Sequence, residues 1–389
     1  MRIYDDELLQ RAERTASRSV WHASWRVALG VTMVSMLTAS SAAHAQATPP
    51  KKVKAPKIVD STKAEKLPDP KLFKSEAVFD VTFTANIGKL RGDKGDHAPY
   101  RTATLSYADS AAPDGKRVVP VRVRTRGIWR LKNCEFPPVR LNFTNKETKG
   151  SLFHDLDEPK LVNYCRSSAS YEQYMLQEFQ LYRIYRLLTP ISHRVRLVHM
   201  TYVDSAKGKV EGTHYACLSE DPQHLAELNG GKIMKQKGAG PDDLDPTAAT
   251  LAYLFNYFIG NTDFSFSGLH NSEIVAFPDG RNVPVAYDFD FSGAVDAVYA
   301  TTDPSLPINR VRNRLYRGFC TQNADVPKLL PLFQEKKAAI YALYSDPIGQ
   351  LMNPKTVKET LAYFDEFYAA IATPKAVEKQ ILNDCRKLK

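Results

Sequence analysis

The chain has 389 residues, a formal net charge of +10 and five cysteines, a length that suffices for a large hydrophobic core or for two lobes. The cysteines form no C-x-x-C pair and no cluster with histidine, which excludes the common zinc motifs. The basic residues between Arg117 and Arg140 are spread among apolar residues with no recognition-helix pattern, so the charge favours anionic substrates such as nucleotide phosphates, or an acidic envelope surface, over nucleic acid.

The N-terminus has the pattern of a secretory signal. Arg18 and Arg26 precede an apolar run at residues 27–37, and small residues with an A-x-A pattern ending at Ala45 follow. We expect cleavage after Ala45, with residues 1–45 as signal peptide. The run is shorter than the roughly 20 apolar residues of a transmembrane helix. An uncleaved membrane anchor, or translation from an upstream start, remains the alternative.

A flexible tether rich in Pro and Lys is predicted at residues 46–76. From residue 77 onward, apolar and polar residues alternate, as they do in half-buried strands. A helix is predicted at 171–188, where Pro190 follows its end. These elements indicate a β-rich lobe at residues 77–240. Its further predicted strands are 101–107, 117–125, 139–143, 160–164, 194–203 and 214–218.

The second half, residues 241–389, is predicted to be mainly helical. An almost wholly apolar helix at 247–259 begins after Pro246 and ends at Gly260. Strand-like segments at 271–277 and 282–289 follow it. Further helices are predicted at 308–319, 326–344, 354–372 and 374–387. The expected fold class is α+β with two lobes, and a cleft between lobes is a favoured ligand site.

Two acidic motifs follow the apolar helix. They are GNTDFSFSGLHN at 260–271 and VAYDFDFSG at 285–293. They place Asp263, Asn271, Asp288 and Asp290 at turns beside apolar segments. Carboxylate and amide oxygens can hold a hard divalent cation, and a remaining Asp can orient a hydroxyl group. Asp and Asn are also common turn residues, so a purely structural role is the alternative.

The five cysteines suit an exported protein with one or two disulfides. Two bridges among five cysteines allow fifteen pairings, because any one of the five can be left over and the other four pair in three ways. Our preferred pairs are Cys134 with Cys165 and Cys320 with Cys385. Buried unpaired thiols are the alternative.

Several motifs in sequence order resemble the spore-coat protein H (CotH) kinase-like family, and especially a branch of secreted bacterial proteins. They are RTRGIWR, CEFPPVRLNF, PKLVNYC, a helix, GNTDFSF followed by HN, and YDFDFSG. The similarity covers about residues 121–298. It implies an atypical protein-kinase fold, with a β-rich N-lobe and a mainly α-helical C-lobe. It also implies phosphorylation of secreted proteins with ATP and a divalent metal.

The resemblance assigns roles by position. Asp263 stands at the place of the catalytic Asp, and Asn271 at that of a metal-binding Asn. Asp288 matches the metal-binding Asp of the kinase DFG element, with Asp290 as a further carboxylate. Asp263 and Asn271 are eight positions apart, longer than the usual five, so we expect the loop between them to bulge.

The resemblance also indicates phosphate-binding residues. Lys160 is placed like the phosphate-binding Lys, and Glu178 in the following helix is its expected partner. Arg126 beside Gly127 is expected to meet phosphate through two parallel hydrogen bonds. Each has an alternative. Lys160 could be an ordinary edge-strand lysine, and Glu178 a solvent-exposed helix charge. Arg126 and Gly127 could form a tight surface turn.

Two further groups have open interpretations. His270 could aid proton transfer or make a structural hydrogen bond. The segment VRNRLYRGFC places Arg312, Arg314 and Arg317 near an apolar face, where they could dock on the cleft, bind an anion or face solvent on a basic helix.

The sequence therefore predicts a secreted or periplasmic kinase-like protein with no transmembrane segment in the mature chain. The predicted reaction transfers phosphoryl from ATP, with Mg²⁺ or Mn²⁺, to a hydroxyl acceptor on a protein or in the envelope. Transfer of another phosphoryl or nucleotidyl group is one alternative. An inactive pseudokinase that acts as an envelope scaffold, or a protein with a structural Ca²⁺ site, are the others.

Overall fold

The computed structural model describes residues 69–93, 98–127 and 129–388. The predicted signal segment and most of the predicted tether lie outside this part of the chain. The described end of the tether is packed rather than loose, because Lys71–Lys74 forms a 3-10 helix whose Leu72 is buried. This end of the tether therefore belongs to the folded protein.

Seven strands form a closed barrel. Its strand order is β1-β2-β3-β4-β5-β7-β6. Neighbouring strands are antiparallel except for β1 and β6, whose parallel pairing closes the ring. The barrel strands are β1 (Phe79–Ala85), β2 (Arg101–Ala108), β3 (Lys116–Thr125), β4 (Val139–Asn142), β5 (Lys160–Val162), β6 (Val195–Asp204) and β7 (Lys209–Ser219).

The alternation of side chains explains these strands. In β1, Val81, Phe83 and Ala85 point into the barrel while the residues between them are more exposed. In β3, Val119 and Val121 do the same between exposed neighbours. Successive side chains of a strand point to opposite faces, so each strand gives one face to the barrel core.

A second, smaller sheet lies outside the barrel. Its strand order is β10-β9-β8, and all three strands pair in antiparallel fashion. The hairpin of β9 and β10 lies between the two acidic motifs in sequence. The strands are β8 (Lys232–Ile233), β9 (Ser272–Ala276) and β10 (Asn282–Ala286).

Helices connect the barrel strands and recur through the second half of the described chain. The longest described helix is α4, which is buried continuously from Met175 to Tyr185. The helices are α1 (Ile87–Gly92), α2 (Trp129–Asn133), α3 (Asn145–Thr148), α4 (Ala169–Leu188), α5 (Pro222–Leu228), α6 (Pro246–Ile259), α7 (Val326–Ala342), α8 (Pro354–Ala370) and α9 (Pro374–Gln380). Four further 3-10 helices are Pro241–Asp243, Cys320–Asp325, Gly349–Leu351 and Leu382–Asp384.

Helix α6 is the centre of the helical core. Asp245 caps its N-terminus by accepting a hydrogen bond from the backbone of Ala248 at 2.8 Å, and Pro246 takes the first helical position. The Phe258 ring lies 4.5 Å from that of Phe364 on α8. Helix α6 is buried on nearly all sides, which explains why its sequence has no regularly spaced polar residues.

The described hydrophobic residues form two clusters. One fills the barrel, and the other joins α4, α6, α7 and α8 to the small sheet. All described residues belong to one compact unit. The boundary near residue 240 between a β-rich and an α-rich lobe stays a prediction. The described helices include none with both the length and the apolar character needed to cross a membrane.

The α+β class is confirmed, but two details of the predicted fold are wrong. The β-rich part is a closed seven-stranded barrel and not a kinase-like lobe. Residues 308–319 form turns and extended segments instead of a helix. Arg314 there donates to the backbone oxygens of Phe258 and Tyr363, so the segment is held by side chains rather than by its own backbone.

Both preferred disulfides are confirmed. Cys134 is bonded to Cys165 and Cys320 to Cys385, which leaves Cys217 as a buried free thiol. The last predicted helix is shorter than expected, since α9 ends at Gln380.

Candidate functional site

The two acidic motifs are joined through their backbones. Helix α6 ends at Gly260, which has a left-handed φ of 67°. The backbone oxygen of Gly260 accepts a hydrogen bond from Gly293 at 3.0 Å, and that of Ile259 accepts one from Ala294 at 2.9 Å. The two motifs therefore meet at their glycine ends.

Asp263 and Asn271 are in direct contact. The Asn271 Nδ2 donates to the carboxylate Oδ2 of Asp263 at 3.1 Å and to its backbone oxygen at 2.8 Å. His270 Nε2 lies 3.0 Å from Oδ1 of the same carboxylate. This hydrogen bond raises the pKa of His270. The Asp263 side chain stays 40% exposed, so an incoming group can reach it.

The eight-residue spacing is explained by a small loop. Ser265 and His270 exchange two backbone hydrogen bonds, at 2.9 and 3.0 Å. The extra residues are contained between these two positions. Asn271 consequently returns to Asp263 despite the longer spacing, as the expected bulge requires.

Asn271 also connects to the second motif. Its backbone oxygen accepts a hydrogen bond from the backbone of Tyr287 at 3.1 Å, one residue before Asp288. The Asp288 backbone donates to the Tyr182 hydroxyl at 2.8 Å. Asn271 and Asp288 have φ values of 47° and 63°. Asn and Asp adopt this left-handed conformation more readily than other residues except glycine, because their short polar side chains can hydrogen-bond locally.

Asp290 lies deeper than the other acids and is already engaged. Its Oδ2 accepts a hydrogen bond from Tyr299 at 3.1 Å and lies 3.8 Å from Nε of Arg130. Burial, and then the charge of Asp288, raise the pKa of Asp290 to about 7. Arg130 provides the compensating positive charge.

Glu178 faces the same acids. The backbone of Phe289 hydrogen-bonds to its carboxylate, but Oε2 has no partner among the described residues. Burial and the charge of Asp290 raise the pKa of Glu178, against the opposing effect of Arg130. Glu178, Asp288, Asp290 and Arg130 thus form one electrostatic group beneath the second motif.

The expected ion pair between Lys160 and Glu178 is not formed. Lys160 Nζ lies 3.5 Å from Oε1 of Glu273 on β9 and 4.5 Å from the centre of the Tyr287 ring. The second oxygen of Glu273 lies 3.2 Å from Nε2 of the buried His193. Burial lowers the pKa of Lys160, although Glu273 opposes this effect.

Arg126 is the second cation contributed by the barrel. It follows β3, and its backbone donates to Pro138 at 3.0 Å. Gly127 takes a φ of 87°, consistent with the predicted turn. Burial lowers the pKa of Arg126, and the charge of Asp288 opposes this more than any other group. Arg126 and Lys160, both on the barrel side, therefore interact electrostatically with the carboxylate of Asp288.

A preformed cage of acids is absent from the part of the chain that the structure describes. Within it, no three His, Cys, Asp or Glu side chains are grouped closely enough to hold a metal ion. Asp290 instead pairs with Arg130 and accepts a hydrogen bond from Tyr299. Mg²⁺ is often held by only one or two carboxylates with substrate phosphates and water. Asp288 and Asn271 could serve in such a site.

Sequence reasoning missed three polar members of this region: Arg130, Glu273 and His193. Glu273 interrupts the apolar run of NSEIVAF, and a charge within a buried strand is a detectable signal. Arg130 is the last residue of the RTRGIWR motif, so the motif could have identified it as a candidate site residue as well. His193 carries no such signal.

The chain was also compared with known proteins. Neither a scan against protein-family models nor a search of curated proteins gave a match.

Proposed function

We propose that this protein is an exported phosphotransferase of the kinase type, which moves the γ-phosphoryl group of ATP to a hydroxyl acceptor on a protein or in the envelope. In this proposal its kinase-like plan is a divergent one, with the β-rich part closed into a barrel. The observation that carries the proposal is the continuous link from Asp263 through Asn271 to the turn at Asp288.

The order of the elements supports the same proposal. Strand β5, which carries Lys160, precedes the long helix α4. Strands β6 and β7, helix α5, strand β8 and the buried helix α6 follow. After α6 come the Asp263–Asn271 loop, the hairpin of β9 and β10 and the Asp288 turn. Protein kinases use this sequence of parts, in which a catalytic-loop Asp receives the acceptor hydroxyl and a second Asp and an Asn hold metal.

Each side chain has a role that its position suits. Asp263 is exposed enough to orient the acceptor hydroxyl and to receive its proton. Asp288 and the Oδ1 of Asn271 would hold Mg²⁺ or Mn²⁺, which offsets phosphate charge when bound. Lys160 and Arg126 would neutralise phosphate oxygens. Asp290 is left out of this ligand set because Arg130 already pairs with it.

The two disulfides suit an oxidising compartment, which supports secretion or a periplasmic location.

Labelled ATP tests the proposal directly. The full chain is incubated with γ-labelled ATP and Mn²⁺, and label transferred to protein is measured for the wild type and for Asp288→Asn. We expect transfer to fall by more than about 100-fold in the variant. Asp296→Asn is the matched control, since Asp296 follows on the same segment and also has a positive φ, of 50°. Equal labelling of the wild type and Asp288→Asn would remove the catalytic assignment.

A second candidate is nucleotide binding without transfer, as in a pseudokinase scaffold. It is favoured by the pairing of Lys160 with Glu273, which already neutralises the proposed phosphate-binding amine. Thermal unfolding with ATP and Mn²⁺ distinguishes the candidates. A nucleotide-dependent rise in melting temperature without label transfer supports the scaffold, while a rise with metal alone supports a structural ion.

A further inference from the structure

Two arginines from distant parts of the chain line one cavity. Arg317 and Arg386 face a space of about 80 Å³ behind the Asp263 loop, together with Ser265 and Ser267. A cavity needs only about 10–15 Å³ to hold a water molecule. This one therefore has room for a small polyatomic ion.

Arg386 is fixed by the backbone around it. Its amide donates to the oxygen of Gly318 at 2.8 Å, and its own oxygen accepts from Cys320 at 3.0 Å. The adjoining Cys385 is bonded to Cys320. The guanidinium of Arg386 lies 4.5 Å from the centre of the Phe319 ring. The C-terminal segment is thereby held beside the segment that carries Arg317.

Arg317 is tied to the candidate catalytic loop. Its Nη1 donates to the backbone oxygens of Thr262 and Phe264, the residues on either side of Asp263. The guanidinium lies 5.2 Å from the centre of the Phe264 ring. Arginine has five N–H donors in a fixed fork, so donors remain for a ligand in the cavity.

Arg317 experiences charges of both signs. Burial, and then the charge of Arg386, lower the pKa of Arg317, while the charges of Asp303 and Asp263 raise it. Ala239 and Gly240 also line the cavity, and the backbone of Gly238 donates to Ser267 at 2.8 Å. The two guanidinium groups at this cavity would stabilise a bound anion.

We propose that this cavity binds a tetrahedral oxyanion of the phosphate class, held by the forks of Arg317 and Arg386 with the Ser267 hydroxyl beside them. Paired arginines suit this ligand because guanidinium groups form parallel, charge-assisted hydrogen bonds with phosphate oxygens. The ligand is a free phosphate ion or a phosphorylated side chain. Because Arg317 holds both neighbours of Asp263, bound anion would also steady that loop. The site is separate from the proposed nucleotide cleft.

Phosphate binding to the full chain tests this site. Binding of inorganic phosphate is measured by calorimetry at constant ionic strength, with chloride as the balancing anion. We expect the phosphate affinity to fall at least about 10-fold in Arg386→Gln, because a charge-assisted pair of hydrogen bonds is lost. Arg281→Gln is the matched control, since Arg281 is also exposed and lies 5.0 Å from the centre of the Phe277 ring.

The outcomes separate the ligand sources and the two proposals. Binding of a phosphoserine peptide, but not of its unphosphorylated form, supports a phosphorylated side chain, while binding of inorganic phosphate alone supports the free ion. Loss of phosphate binding in Lys160→Met, with unchanged binding in Arg386→Gln, would overturn the site. No measurable phosphate binding to the wild type, or equal loss in Arg386→Gln and Arg281→Gln, would overturn it too. A failure of ATP labelling leaves these outcomes unaffected.

Discussion

The hydroxyl group of Tyr363, on α8, occupies the space that a Cβ atom at Gly260 would need. The same hydroxyl lies close to Gly293, the glycine of the second acidic motif. Helix α8 therefore crosses the point where the two motifs exchange backbone hydrogen bonds. This contact gives a physical reason for a glycine in each motif.

Gly260→Ala is expected to destabilise the protein by about 2–5 kcal/mol. The left-handed φ costs about 1–2 kcal/mol for alanine, and the collision with Tyr363 adds an overpacking cost of about 1–3 kcal/mol. Urea unfolding measures the loss. Gly280→Ala is the control, because Gly280 has a φ of 89° and a Cβ atom added there would meet no other atom within 4 Å. Equal losses in the two variants would contradict the role of Tyr363.

Tyr363→Phe is expected to leave stability unchanged or to raise it by up to about 1 kcal/mol. The Tyr363 hydroxyl is buried without a hydrogen-bond partner among the described residues, so its removal relieves a desolvation cost. Tyr368→Phe on the same helix provides the comparison, since the Tyr368 hydroxyl donates to Phe333 at 3.3 Å. That variant should lose about 0.5–1.5 kcal/mol. A larger loss of stability in Tyr363→Phe than in Tyr368→Phe would refute the conclusion that the Tyr363 hydroxyl lacks a hydrogen bond.

Lys160→Met is expected to weaken ATP binding by about 10-fold or more, because a charge-assisted contact with phosphate is lost. Glu273→Gln should strengthen ATP binding, since Lys160 then has no carboxylate competing with phosphate. Calorimetry in the presence of Mn²⁺ measures both. Lys232→Met, an exposed lysine on β8, is the control. Unchanged affinity in Lys160→Met would exclude this lysine from the nucleotide site.

Glu220 should govern part of the acid sensitivity of the fold. Burial alone would raise the pKa of Glu220, but hydrogen bonds from His224 and Arg194 outweigh it and lower the pKa to about 2. A depressed folded-state pKa contributes stability above the unfolded value of about 4.5, and this stability is lost as the pH falls toward 2.

Glu220→Gln should therefore reduce the slope of unfolding free energy against pH between about 2 and 4.5. One pKa unit corresponds to about 1.4 kcal/mol, so the difference from the wild type amounts to a few kcal/mol over this range. Chemical unfolding at several pH values provides the measurement. Parallel curves for the two proteins would show that Glu220 does not contribute.

Loss of either disulfide should cost about 4 kcal/mol. The bridges span 31 and 65 positions, and loop-closure entropy predicts a loss larger by about 0.7 kcal/mol for the Cys320–Cys385 pair. Each pair is replaced by serine and unfolding is measured in urea. Cys217→Ala is the control for a buried thiol without a bridge, with an expected loss of about 1 kcal/mol. A disulfide variant no less stable than this control would contradict the prediction.

Local patterns predicted much of the fold. Alternation located the barrel strands, and Pro246 with Gly260 delimited α6 within one residue. The closure of the barrel was not predictable, because the pairing of β1 with β6 joins segments far apart in sequence and leaves no local signal. The helix predicted at 308–319 failed because side-chain hydrogen bonds from Arg314 and Arg317 hold that segment extended.

The candidate site was predicted in part. The resemblance placed Asp263 and Asn271 in one loop, where they are in contact, although their spacing departs from the usual pattern. The ion pair of Lys160 with Glu273 was not predicted. The direction of Glu178 could not be read from α4, since polar and apolar residues of that helix are buried alike. Without one exposed face, periodicity cannot assign a side chain to a side of the helix.

The parallel pairing of β1 with β6 has a consequence for biosynthesis. A nascent chain leaving the ribosome presents β1 long before Asp204, the last residue that pairs with it, has been added. Asp204 follows Ala85 by 119 positions (204 − 85), so at translation rates of about 5–20 residues per second this interval lasts roughly 6–24 s. During that time one edge of β1 has open hydrogen-bonding groups, which are a template for pairing with other chains. Any folding intermediate that forms before β6 pairs with β1 therefore contains an unclosed sheet.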